Sequence, residues 1–175
     1  MITDPARLSQ SAEAKAEENY QFRRFLKHRT RLSSEEVDTL VSTISERVWK
    51  RIDCTTCGNC CRVASPTLDQ EDVERLAAGL GMPPSQIVAN YLRPTDGADR
   101  ADGSPWIMRE RPCPFLKDNR CTVYEHRPAN CRDYPYLDKP DFTSRTLRMI
   151  DRISECPAVF EVWEELKQAT GFRRR

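Results

Sequence analysis

CTTCGNCC, Cys54 to Cys61, sets four cysteines within eight positions, and two of them, Cys60 and Cys61, are adjacent. Thiols this dense call for a chemical reason. The spacing Cys54-x-x-Cys57-x-x-Cys60 is the run used by ferredoxin-type clusters, in which the chain wraps tightly around the metal. Cys57-Gly58 also reads as a C-x-x-C-G knuckle, because glycine takes positive φ without steric cost, and Asn59 tolerates the same region. Neighbouring side chains of an extended segment point to opposite sides. Cys60 and Cys61 are therefore expected not to serve one metal in the same way: either Cys61 reaches a second site, or the site is polynuclear.

Working outward, Cys113, Cys121, Cys131 and Cys156 bring the total to eight. Cys54, Cys57, Cys60, Cys61, Cys113, Cys121, Cys131 and Cys156 are the candidate metal ligands. Eight thiols allow two four-thiolate sites, or one site with spare or reactive thiols, and spacing alone does not fix the grouping. Cys156, alone before Pro157, also reads as a small buried hydrophobe. The first residues lack the basic start, apolar run and cleavage site of a secretory signal. No apolar stretch is long enough to span a bilayer, so the expected location is cytoplasmic, with no membrane partner. In a reducing compartment cysteines are more often metal ligands or catalytic thiols than disulfides.

Lys and Arg number 28 against 27 Asp and Glu, a net charge of +1. No basic run with interleaved aromatics is present, so no nucleic-acid partner is expected. The Arg173-Arg174-Arg175 tail reads as a solvated end. Two four-cysteine zinc sites would carry roughly −4 together, counting +2 for each zinc and −1 for each thiolate. Lys50, Arg51 and Arg62 flank the first cluster, and Arg109, Arg111, Arg120, Arg127 and Arg132 flank the later cysteines. These cations suit an offsetting shell around thiolates; an ordinary charged surface is the plainer reading. His28 and His126 are the only histidines, and both read as surface residues, with His126 near enough to Cys121 and Cys131 in sequence to count as a further ligand candidate. Asp133, Asp138 and Asp141 read as loop solvation. No catalytic triad pattern or phosphate-cradling glycine loop is seen, and the catalytic residues are unassigned.

The flanks read as helical. Ala12 to Arg29 is rich in Ala, Glu, Lys and Arg. In RLSSEEVDTLVSTISERVWKRI, Ser33 and Glu36 form a capping box, and Val37, Leu40, Val41, Ile44 and Val48 recur at helical spacing. TLDQEDVERLAAGLGM predicts a capped helix with Val73, Leu76, Ala77 and Leu80 inward and Gly81 as its stop. Pro83 and Pro84 open a short helix with Ile87, Val88, Tyr91 and Leu92 apolar. RPTDGADRADGSP reads as a loop. Trp106 to Asp141 reads as irregular, with one short hairpin across FLKDNRCTVY. PAVFEVWEELKQATG predicts a closing helix with Val159, Val162, Trp163 and Leu166 inward and Gly171 past its end. The fold class expected is mainly α, with an irregular, loop-rich, metal-stapled cysteine-cluster core and little β. The expected division is a helical N-terminal extension over 1–50, a cysteine-cluster domain over 51–157, and a C-terminal helix over 158–175 packing on it.

CTTCGNCC followed by CPFLKDNRCTVYEHRPANCRDYP resembles the C-x-x-C-x-x-C-C family of zinc- or iron-chelating domains, the YkgJ-type cysteine-cluster proteins. The second block carries Cys113-Pro114-Phe115-Leu116, Cys121, Val123-Tyr124-Glu125, Arg127-Pro128, Cys131-Arg132 and Tyr134-Pro135 in the family's order. The resemblance implies metal chelation by the eight cysteines, with zinc, iron or an iron–sulfur cluster as the cofactor. Iron–sulfur is favoured by the C-x-x-C-x-x-C spacing, and zinc by the knuckle at Cys57-Gly58. A related cluster occurs in the flagellin lysine methylases, which resemble iron–sulfur proteins using S-adenosylmethionine. One alternative is therefore a protein lysine methyltransferase, although this chain shows no glycine-rich fingerprint for that cofactor. A second alternative is a small metal-delivery or interaction module. The protein partner is left unassigned.

Overall fold

A computed structural model describes residues 3–96 and 103–174. The chain is mainly α, with short strands confined to its middle. Contacts divide it into two compact units, one of Met1–Asp53 with Pro135–Arg175, the other of Cys54–Tyr134.

The first unit is a helical bundle. It holds α1 (Pro5–Ala14), α2 (Ala16–His28), α3 (Ser34–Trp49), α9 (Phe142–Ile153) and α10 (Pro157–Ala169). The helix expected from Ala12 starts earlier, at Pro5, because Asp4 caps it: the Asp4 side chain accepts from the Arg7 N–H. It breaks at Lys15 before continuing as α2. α3 carries the expected capping box, Ser33 and Glu36 satisfying each other's backbone N–H, and buries Val37, Val41, Ile44 and Val48, with Leu40 half-buried. α3 and α9 both pack on α10. Trp163 is fully buried, edge-on to Phe22 at 5.2 Å between centroids, and its indole N–H donates to Asn19 Oδ1 at 3.1 Å. That bond supplies the partner a buried indole needs. Lys167 is buried beside it, its ammonium donating to Glu18, Asn19 and Glu164.

α9 falls where no helix is expected from the sequence. Its N-cap position, Asp141, is in the left-handed region with φ 56° and offers no side-chain cap. The cap comes instead from α3: the Asp38 carboxylate accepts from the N–H groups of Asp141 and Phe142, both at 2.8 Å. Phe142, Thr146, Met149 and Ile153 then form the buried stripe.

The second unit joins two longer helices and three short ones to two small antiparallel sheets. α6 (Gln70–Leu80) and α7 (Pro84–Tyr91) follow the cysteine run, and α6 ends as expected, with Gly81 left-handed at φ 63°. β1 (Thr67–Leu68), β3 (Trp106–Met108) and β2 (Leu92–Pro94) form a sheet in that order, Thr67 opposite Ile107 and Arg93 opposite Ile107. The stretch from Trp106 is thus less irregular than expected, and the loop expected over 93–105 gives up its first residues to β2; its middle, 97–102, lies outside the described residues. The expected hairpin is β4 (Leu116–Lys117) paired with β5 (Arg120–Cys121). Its turn residues Asp118 and Asn119 both have positive φ, 49° and 63°, the requirement of a two-residue hairpin loop whose twist matches its strands. Leu68, Val73, Leu76, Ala77, Ile87, Leu92, Met108, Phe115 and Val123 make the core, with Cys113 and Cys121 packed against it.

Candidate metal centre

Cys54 and Cys57 begin and end α4 (Cys54–Cys57), a single turn. Gly58 then takes φ 65° and leads into α5 (Asn59–Val63), which carries Cys60 and Cys61. The run is therefore two helical turns broken by one left-handed glycine, and the expectation of an extended Cys60–Cys61 segment is corrected. On a helix successive side chains diverge by about 100° rather than lying on opposite faces. The Cys60 thiol accordingly reaches Cys61 as a hydrogen-bond donor. Gly58 is required twice over: an L side chain is strained at its φ, and a Cβ there would stand 3.0 Å from Leu116 Cδ1, 3.1 Å from Arg62 Nη1 and 3.1 Å from the Asn119 carbonyl. Asn59, considered for the same backbone region, is instead buried at the start of α5.

The second cysteine block closes onto the first through the backbone. Cys113 N–H donates to the Cys61 carbonyl at 2.7 Å, and Leu116 N–H to the Cys113 carbonyl at 3.0 Å. Cys121 lies on β5 opposite Leu116, and α4 packs on β5. Cys131 sits on α8 (Ala129–Asp133), a five-residue helix with no side-chain cap of its own. Seven of the eight cysteines thus belong to the Cys54–Tyr134 unit. Cys156 belongs to the helical bundle, buried at the residue preceding α10, with its N–H on the Arg152 carbonyl at 2.9 Å.

Electrostatics ties four of the seven together. The hydrogen bond from Cys60 brings the Cys61 thiol down to about 7 against its burial, with further help from Arg62 and its own backbone N–H. Burial pushes Cys113 up to about 11, and charges at Cys61 and Cys121 add to the rise. Burial also raises Cys121, reinforced by Cys61 and opposed by the Val123 backbone N–H and Arg127. Cys131 is exposed by surface area yet crowded by surrounding protein; that crowding, then charge at Cys113, Cys61 and Cys121, pushes it up to about 12. Like charges that disfavour one another's ionisation are near enough to interact through the protein. Cys61, Cys113, Cys121 and Cys131 are therefore one electrostatic cluster.

Two of the flanking cations bear on it. Arg62 donates to the Cys57 carbonyl at 3.3 Å and to the Asn119 carboxamide, spanning the cysteine run and the hairpin turn. Arg127 stacks on Tyr124, 3.6 Å from the ring centroid, and favours the thiolates of Cys121 and Cys131. Others brace the backbone: Arg109 holds the Ala89 and Leu92 carbonyls, Arg111 the Val63 carbonyl and Arg132 the Arg127 carbonyl. Arg51 pairs with Glu165 in the helical bundle. His126 lies in a 3-10 turn pressed against Gly79, where an added Cβ would come within 2.4 Å of its ring. That close packing accounts for the residue without a metal.

Soft thiolates suit zinc and iron alike, and the donor set fits either. Among the described residues, no three His, Cys, Asp or Glu side chains stand in ligating geometry. The residues that composition and spacing do not single out are Asp72, Asn130 and Thr67, which hold α8 in place. Asp72 reads in sequence as one more acidic residue in a helix first turn, and its role comes from a neighbour distant in the chain.

The profile of the CxxCxxCC family, described as "Putative zinc- or iron-chelating domain", matches residues 53–156. A protein of Methanocaldococcus jannaschii, named "Uncharacterized protein MJ0661", is 29% identical over 86 residues, 47% of this chain and 43% of that protein. The chain thus spans less than half the length of that relative. No solved structure matches the chain. No helix among the described residues is long and apolar enough to cross a membrane. Because the matched segment covers more than half of the sequence and takes in all eight cysteines, the chain belongs to the CxxCxxCC family of zinc- or iron-chelating domains.

Proposed function

We propose that the Cys54–Tyr134 unit is a thiolate metal centre that takes up zinc or iron through ligands drawn from Cys54, Cys57, Cys60, Cys61, Cys113, Cys121 and Cys131. The observation that carries this reading is the closure of the second cysteine block onto the first: Cys113 N–H donates to the Cys61 carbonyl at 2.7 Å, and Cys121 lies on β5, against which α4 packs. Thiols that hinder one another's ionisation stay protonated in the metal-free protein. A bound cation supplies the positive charge that allows them to ionise together, and uptake then releases protons. Arg62 and Arg127 offset part of the remaining negative charge. The hairpin and the left-handed Gly58 keep the two cysteine blocks in register. With sulfide available, the same thiolates suit an iron–sulfur cluster.

The test is to produce the full chain with iron and sulfide supplied, purify it without oxygen, and measure metal, acid-labile sulfide and the visible spectrum together. A brown protein with labile sulfide identifies a cluster, and a colourless protein with stoichiometric zinc identifies a zinc site. Cys57→Ser and Cys60→Ser are expected to lower metal content and melting temperature, because serine is a poor replacement ligand, whereas Cys156→Ser acts less on metal content. A wild-type chain free of both metals, or Cys57→Ser and Cys60→Ser variants with unchanged metal and melting, overturns the reading.

A further inference from the structure

We infer that Asp72 is the positioning residue for Cys131, a buried carboxylate on α6 that fixes the first turn of α8 and so holds the Cys131 sulfur among its partners. This rests on the metal-centre reading above. Asp72 is 4% exposed. A first-turn acid that merely suits a helix N-terminus has no reason to be buried, and α6 is already capped by Asp69, which accepts from the Asp72 N–H at 2.8 Å. The Asp72 side chain is turned elsewhere: Oδ1 accepts from the Ala129 N–H at 2.9 Å. Arg75 balances its charge at 2.6 Å, itself shared with Glu71.

α8 needs such support. A helix of five residues does not hold itself. It follows Pro128, which offers no side-chain cap, and its ends are tied by the Cys131 and Arg132 N–H groups on the Pro128 carbonyl, at 2.9 and 3.0 Å, and by the Tyr134 N–H on the Asn130 carbonyl at 3.1 Å. Two outside bonds orient it, Asp72 to Ala129 and the Asn130 carboxamide to Thr67 on β1. Both grip the residues immediately before Cys131. The cysteine's place is thus set from α6 and β1 rather than from its own short helix.

The experiment is alkylation of the zinc-loaded full chain with iodoacetamide, read cysteine by cysteine by mass spectrometry. In the wild type, zinc should protect Cys61, Cys113, Cys121 and Cys131 together. In Asp72→Ala, Cys131 should be modified about five- to tenfold faster, the scale of a lost helix cap, with the other three still protected. Asp72→Asn keeps an accepting oxygen and should restore most of the protection. Ala129→Pro, which deletes only the N–H at a position where proline fits a helix start, should expose Cys131 while leaving the Asp72–Arg75 pair intact. Unchanged protection of Cys131 in Asp72→Ala and Ala129→Pro overturns the inference, and so does equal loss at all four cysteines, the mark of general loosening. If zinc protects no thiol in the wild type, the metal reading fails and hydrogen exchange of the metal-free chain decides the positioning role. Faster exchange confined to residues 129–133 in Asp72→Ala supports it, and unchanged exchange there overturns it.

Discussion

Cys61 differs from its neighbours in what its sulfur receives. The Cys60 thiol donates to it and Arg62 stands beside it, so its folded value of about 7 lies below the ordinary 9.0. For an acid whose value is lowered on folding, the charge-dependent stabilisation is complete above the unfolded value and is lost as pH falls through the folded one. In the metal-free chain, Cys61 should therefore be alkylated first at pH 8, its rate falling as pH drops through about 7. Cys113 and Cys131, raised to about 11 and about 12, should lag. Site-resolved alkylation across pH 6 to 9 checks this, and Cys113 reacting ahead of Cys61 at pH 8 would contradict it. The candidate thiols themselves were legible in the spacing, since CTTCGNCC admits few other readings. The local relation of Cys60 to Cys61 was not, because it depends on whether five residues coil or extend, and a left-handed Gly58 with the hairpin pressed against it decides that.

At the scale of elements, the helices that announce themselves carry their own caps. α3 has Ser33 and Glu36, α6 has Asp69 and Gly81, and α10 opens on Pro157. α9 has no local signal, because its cap is the Asp38 carboxylate more than a hundred residues earlier. α8 is the same case, capped by Asp72. Removing a capping side chain typically costs about 0.5–2 kcal/mol. Asp38→Ala should lower the stability of the chain by about that amount, since it leaves two N–H groups of the α9 start without their acceptor. Urea unfolding followed by helical circular dichroism reads the change. Asp38→Asn, retaining one accepting oxygen, should lose less, and a loss no larger than that of an exposed Asp→Ala elsewhere would remove Asp38 from this role. The short strands escaped the sequence reading for a related reason: β1, β2 and β3 are too short to show alternation and exist through their partners.

For the whole molecule, the two units differ in the size of their apolar cores. The helical bundle has a large apolar core around Trp163, Phe22 and Phe142, closed by Lys167 among Glu18, Asn19 and Glu164. The Cys54–Tyr134 unit has a smaller core with thiols packed at its edge, and structural metal binding contributes folding free energy directly. A strong chelator should therefore act unevenly. Amides of α5, α8 and the β4–β5 hairpin should lose protection from hydrogen exchange, while those of α3 and α10 keep it. Uniform loss across both groups would mean that the metal does not act on the cysteine unit in particular.

By itself the sequence determined the mainly helical class, the helices with their own caps and periodic faces, and a hairpin within FLKDNRCTVY, and it marked the cysteines as candidate ligands. These are local properties, set by spacing, by capping side chains, and by residues tolerant of positive φ. The tertiary structure alone decided that helices from both ends of the chain share one core, and that Cys156 lies in that core while the other seven cysteines share a unit. It also decided that Asp38 and Asp72 cap helices far from them in sequence. Each of these depends on contacts between distant segments, whose partners meet only when apolar faces are buried together, and no short window of residues records that pairing.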